Sequence, residues 1–226
     1  MPTKIAFVTI GQTPRDDLVP AILDLVHADV VATGFGVLDA LDDAGIAAMA
    51  PADTAPMLVS RLRCGREVHL DKTLATRSLI ALIHRIDRQE FDLIVPLCTG
   101  NFPELHALAL RTPLIEPQRL MDRLATGLLS GLRTIALVVP NAAQAAMHAP
   151  YDGVETTRSW VSPYVPASQD PERYRRLDAA LTGADLIVMH CVGFDEPMRA
   201  ALHRRYGCPV LIPRRVIAAA IDLIAQ

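Results

Sequence analysis

Residues 92–100 read DLIVPLCTG and residues 185–193 read DLIVMHCVG. Six of the nine positions are identical, with Cys at the seventh and Gly at the ninth in both. A short continuous apolar run closed by a small-residue turn is how a strand covered on both faces reads. Both stretches therefore predict buried parallel strands that end in a cysteine.

Working outward, further runs of the same kind occur at KIAFVTI, RTIALVVP and PVLIP. Helical patterns lie between them. Residues 73–88 place Leu74, Leu79, Leu82, Ile83 and Ile86 on one stripe. Residues 117–129 begin with a proline suited to a first helical turn. Residues 171–181 and 196–206 have similar patterns. Residues 36–56 are rich in Ala, Asp and Pro and predict a short helix with irregular flanks. Residues 150–170 predict a strand with a loop. Strands alternating with helices define an α/β fold with parallel sheets.

The repeat extends beyond the cysteine strands. TPLIEPQRL (112–120) follows the first, and CPVLIPRRV (208–216) follows the second. Each reads as a short strand, a proline and a helix. Cys191 lies 191 − 98 = 93 positions after Cys98, and Pro213 lies 213 − 117 = 96 after Pro117. The first strand, IAFVTIGQ, resembles IALVVPNA at 135–142. Three matched pieces in one order predict two similar lobes.

The 226 residues suffice for a sizeable core, built mostly of aliphatic side chains, since aromatics make up only 4%. A formal net charge of −3 gives no footprint for nucleic acid or an anionic membrane. No window supplies the ~18 apolar residues of a membrane span, and the N-terminus does not read as a secretory signal. Cys64, Cys98, Cys191 and Cys208 fit neither a disulfide framework nor a CxxC metal site. Free thiols in a cytoplasmic protein are expected. The seven histidines show no metal-ligand spacing, and no phosphate-binding glycine loop occurs, so no metal or nucleotide cofactor is expected.

In open α/β sheets, ligands sit beyond the carboxyl ends of the strands, where Cys98 and Cys191 fall. The glycine two residues after each lets backbone N–H groups turn toward an anion or a thiolate. Such donors lower a thiol's pKa and make it a better base. Two facing lobes would bring the two thiols to one cleft, one to take a proton from carbon and one to return it. The bland alternative is that buried cysteine simply packs. That reading is preferred for Cys64 and Cys208, which lack a matching cysteine.

The LCTG motif, the later GADLIVMHCVGF and the terminal PVLIP-helix resemble the aspartate/glutamate racemase superfamily. Within it, TIGQTPRDDL (9–18) resembles the AroM family. The resemblance implies two flavodoxin-like lobes related by a pseudo-dyad, with the site in the cleft between them. Residues 1–112 plus 209–226 would form one lobe, and 113–208 the other. It also implies cofactor-independent chemistry with Cys98 and Cys191 as acid and base. Thr99 matches the small polar residue after the first cysteine. Gly11 and Gln12 match the loop that binds a substrate carboxylate. Val192 departs from the pattern, which commonly has Thr there.

Arg15 suits a carboxylate, or else pairs with Asp16 or Asp17. Thr13 offers a hydroxyl to ligand or to a helix cap. Gly100, Asn101, Gly193 and Phe194, in the two cysteine turns, are further candidates to bind substrate. Backbone N–H groups near Gly11, Gly100 and Gly193 would hold the carboxylate, and Asn101 either contacts substrate or simply suits its turn. Asn141 either lines the second half of the cleft or caps the AAQAAM helix. His190 precedes Cys191 in its strand, so it should face the other side and pack. Glu116 lies near a strand end, where it would tune a cysteine or start a helix.

The expected activity is proton transfer beside the carboxylate of a small substrate, racemase-like, with a homodimer as one assembly. A decarboxylase or isomerase using mainly one cysteine, or a small-carboxylate sensor without turnover, are the alternatives.

Overall fold

The computed structural model describes residues 1–53 and 55–225; Thr54, within the segment expected to carry a short helix, and Gln226, the last of the first lobe, lie outside the described residues. The chain divides into two compact units, Met1–Pro117 with Ile217–Gln226, and Gln118–Val216.

In the first unit, β1 (Thr3–Thr9) lies between β2 (Val30–Gly36) and β5 (Leu93–Pro96) in a parallel sheet. A bridge from Ile94 to Leu114 adds a fourth chain segment to the β5 edge. An antiparallel hairpin, β3 (Met57–Arg61) and β4 (Glu67–Asp71), forms a separate sheet. In the second unit, β6 (Thr134–Val139) lies between β7 (Glu155–Trp160) and β8 (Leu186–Met189), with β9 (Val210–Leu211) beyond β8, all parallel.

The registers coincide across the repeat. Ile5 pairs with Leu93 as Ile135 pairs with Leu186. Ile94 bridges Leu114 as Ile187 pairs with Val210. The Leu97 N–H donates to the Val8 carbonyl, and the His190 N–H to the Val138 carbonyl, both at 2.7 Å. The aspartates that open the two matched stretches also have one job. Asp92 Oδ2 accepts from the Lys4 N–H at 2.8 Å, and Asp185 Oδ2 accepts from Thr134 at 3.0 Å. Each carboxylate satisfies the amide at the start of the neighbouring strand. At Asp185 the amides of Arg133 and Thr134 hold the carboxyl below its ordinary range.

Helices α1 (Val19–Leu23), α2 (Asp43–Ala48) and α3 (Lys72–Ile86) belong to the first unit. The Asp71 carboxylate caps α3, accepting from the Leu74 N–H at 2.9 Å. Leu74 does not join the expected stripe: it is exposed, while Ala75, Thr76, Leu79, Leu82, Ile83 and Ile86 are buried. A first-turn side chain here lies off the 3.6-residue seam, and Ala75 takes its place. Helix α4 (Pro117–Gly127) is followed in the second unit by α5 (Ala142–Met147), α6 (Arg173–Leu181) and α7 (Glu196–Tyr206). Helix α8 (Pro213–Ile224) closes the chain. Among the described residues no helix is long and apolar enough to cross a membrane.

Strand alternation sorts the second unit's side chains. Ile187, Met189 and Cys191 pack into a cluster with Val161, Leu177 and Phe194. Leu186 and Val188 pack with Met121, Tyr151 and Val216 in another.

Candidate active site

Because neighbouring strands run parallel, the loops after β1 and β5 leave the same edge of the first sheet. The loops after β6 and β8 do likewise in the second. Cys98 and Cys191 stand just past β5 and β8, each half-buried.

The two sulfurs have the same local geometry. The Gly100 N–H donates to Cys98 Sγ at 3.3 Å, and the Gly193 N–H donates to Cys191 Sγ at 3.4 Å. A donor aimed at sulfur favours the charged thiolate over the thiol. Glycine is favoured at both sites because the turn is crowded. A Cβ on Gly100 would stand 2.9 Å from the Phe102 ring, and one on Gly193 would stand 2.7 Å from Pro163 Cγ and from the Tyr164 hydroxyl. The other two thiols differ. Cys64 is exposed, and burial pushes the Cys208 thiol up.

The loop after β1 is tied down by its own polar groups. The N–H groups of Gly11, Gln12 and Thr13 donate to Thr9 Oγ1, the Arg61 carbonyl and Asp39 Oδ1, at 3.1, 3.2 and 2.7 Å. Gln12 Oε1 accepts from the Arg63 N–H at 3.3 Å. The Thr13 hydroxyl donates to Asp39 Oδ2 at 2.7 Å. Arg15 is buried, not a surface residue. Its Nε and Nη2 donate to the two Asp17 oxygens at 2.8 and 2.9 Å, and Nη1 donates to Thr9 Oγ1 at 3.0 Å. Burial pushes the Asp17 carboxyl up, but the Arg15 hydrogen bond and charge bring it below its ordinary value. Of the two readings of Arg15, the Asp17 pairing is the one the geometry displays.

Thr99 is half-buried and Asn101 exposed in the first cysteine turn, whereas Val192 and Phe194 are buried in the second. Asn141 caps α5: its Oδ1 accepts from the Gln144 N–H at 2.9 Å. Its Nδ2 is buried without a hydrogen-bond partner, leaving a donor available at the end of β6. Glu116 pairs with His106 at 2.9 Å. His190 points away from Cys191, toward Tyr151, whose hydroxyl lies 3.1 Å from its Nε2. Burial and the nearby Asp122 carboxylate push that hydroxyl's pKa well up.

Two residues at the second turn carry no sequence signal. Arg214, 6% exposed, donates from Nε to the Val192 carbonyl and from Nη2 to the Gly193 carbonyl, both at 2.9 Å. Tyr164 closes over Gly193. Only the match between the 208–216 and 112–120 segments pointed toward Arg214's neighbourhood, and within it Arg214 stands opposite Gln118.

Solved structures share this fold. Allantoin racemase from Pseudomonas fluorescens superposes with a TM-score of 0.63 at 13% identity, over 97% of this chain and 90% of that one. Glutamate racemase from Thermus thermophilus gives 0.62 at 17% identity, over 98% and 79%. Arylmalonate decarboxylase gives 0.53 at 16%, over 97% and 92%. No curated protein matches the chain in sequence. The protein thus has the α/β fold seen in these two racemases. The AroM protein family matches residues 5–224, and the chain belongs to that family.

Proposed function

We propose that the protein is a cofactor-independent proton-transfer enzyme acting on a small carboxylate-bearing substrate, with Cys98 and Cys191 as base and acid. One thiolate takes the proton from the carbon beside the carboxylate and becomes a thiol. The other thiol returns a proton to that carbon and becomes a thiolate. The observation that carries this reading is the duplicated N–H donation to sulfur, at 3.3 and 3.4 Å. It gives both cysteines one reason to hold charge, whereas at Cys208 burial outweighs the backbone hydrogen bonds to the thiol. Asn141 supplies a buried amide donor suited to a carboxylate. With the amides of residues 11–13 already donating to Thr9, Arg61 and Asp39, the Thr99 hydroxyl and Asn141 are the preferred substrate contacts. Arg15, Gln12 and Thr13 shape the loop.

The test is alkylation of the native protein by iodoacetamide from pH 5 to 10, with each cysteine followed by peptide mass spectrometry. Cys98 and Cys191 should react with midpoints below the ~8.5 of an ordinary thiol, and Cys208 above it. Ordinary midpoints at both would remove the physical basis of the proposal. A one-cysteine decarboxylase or isomerase is the second reading. It is favoured by the buried, apolar Val192 standing where the first turn has Thr99. A depressed midpoint at only one cysteine would select it.

A further inference from the structure

On the face of β8 opposite Cys191, the second unit gathers three metal-ligating side chains that the cysteine chemistry does not use. Asp122 lies on α4, His148 follows the last turn of α5, and His190 follows β8. One ligand atom from each lies within 4.8 Å of the others. The His148 and His190 rings stand 4.8 Å apart at 62°.

His190 Nε2 lies against the Tyr151 hydroxyl and Asp122 Oδ2 accepts from the Gln118 amide, yet polar capacity in the cluster is left over. The His190 side chain is 1% exposed, and its Nδ1 has no hydrogen-bond partner. Asp122 Oδ1 is buried and has none either, although it lies only 3.2 Å from His190 Nε2. A nitrogen and an oxygen at that distance without hydrogen-bond alignment have the spacing of two ligands on one ion. Tetrahedral zinc, with bonds of about 2.0–2.1 Å, places neighbouring ligands about 3.3 Å apart. His148 is oriented for the same task. Its Nδ1 lies 2.9 Å from the Ala149 carbonyl. An N–H donated there leaves the Nε2 lone pair for a metal, the arrangement that orients metal-bound imidazoles.

We propose that Asp122, His148 and His190 form a binding site for a divalent cation of the zinc class, to which two imidazoles and a carboxylate are suited. The Tyr151 hydroxyl, 3.1 Å from His190 Nε2, borders the site. The ion would sit behind the strand that carries Cys191, not against its sulfur, because residues 190 and 191 face opposite sides. Its effect is to tie α4 and the end of α5 to the end of β8. The site stands independently of whether the thiols catalyse.

The test is titration of metal-stripped protein with zinc chloride against a chromophoric chelator, and with cobalt(II) chloride followed by visible absorption. One equivalent should bind with a dissociation constant of about micromolar or tighter. Asp122→Asn and His148→Ala should each weaken binding at least tenfold. Both side chains are partly exposed, so these variants should fold where a change at buried His190 would not. A variant with Cys64, Cys98 and Cys191 all changed to Ser should bind equally well. Its cobalt spectrum should match the parent's and lack thiolate charge transfer. Absence of stoichiometric binding, binding unmoved by both D122N and H148A, or binding lost with the cysteines would overturn the site.

Discussion

The turns after Cys98 and Cys191 share a backbone and differ in nearly everything around it. Both bring a glycine N–H to sulfur, at 3.3 and 3.4 Å. The first turn is lined by half-buried Thr99 and exposed Asn101. The second is closed by Val192 and Phe194, 2% and 0% exposed, and clamped through two carbonyls by Arg214. The donor geometry recurs among different neighbours, so the strand-end turn and its glycine set it, and at the second turn Arg214 holds that turn in place. The surroundings are where one thiol can be made to differ from the other.

The strongest way to break the equivalence is to remove each sulfur. Cys98→Ala and Cys191→Ala should each lower turnover about a hundred- to ten-thousand-fold, the range of one lost general acid or base. The double variant should be little worse than either, because groups acting as a unit are not additive. Solvent-deuterium incorporation beside the carboxylate, followed by NMR, is the readout. Survival of activity in one single variant would make the two turns functionally unlike.

The second comparison concerns the clamp. Arg214→Ala should destabilise the protein by about 2–4 kcal/mol, since two buried carbonyls lose a charged donor. Urea unfolding measures this. In the same variant the alkylation midpoint of Cys191 should rise as the Gly193 amide loses its fixed aim, while that of Cys98 stays put. Equal movement at both thiols would mean that Arg214 acts on the whole fold.

Crowding gives a smaller contrast. Gly193→Ala should cost about 1–3 kcal/mol, typical of overpacking, because its Cβ meets the Pro163 ring as well as a tyrosine hydroxyl. Gly100→Ala should cost less, its Cβ meeting the Phe102 ring edge and a Leu58 methyl at 2.9 and 3.0 Å. Thermal melting of the pair reads the order, and a larger loss at Gly100 would contradict it.

How far the sequence reveals this arrangement depends on burial. Strands β1, β5, β6 and β8 are covered on both faces, so they read as apolar runs, and their repeat carries the register with it. Strand β2 has no such run because it is a half-exposed edge, VVATGFG. The β3–β4 hairpin, with Arg61, Glu67, His69 and Asp71 among its residues, hides for the same reason. Within the candidate site, the cysteines and their glycines were legible because they repeat. Arg214 was not, because its position in the matched segment is occupied by Gln118. The grouping of Asp122, His148 and His190 depends on where α4, α5 and β8 meet, and no local spacing records it.

The smallest expected effects come from exchanging the residues after the cysteines. Val192→Thr adds a hydroxyl at a site 2% exposed. Burying an unpaired hydroxyl costs about 1–2 kcal/mol, so the melting temperature should fall modestly. Thr99→Val, at a half-buried position, should leave stability within about 0.5 kcal/mol, as most changes away from buried polar networks do. If the Thr99 hydroxyl holds the substrate, the same variant should raise KM while leaving the Cys98 alkylation profile unchanged. A shifted Cys98 profile with KM intact would instead assign Thr99 to tuning the thiol. The exchange thus separates the two tasks a polar neighbour can perform beside a cysteine, binding what reacts and setting the charge of what reacts with it.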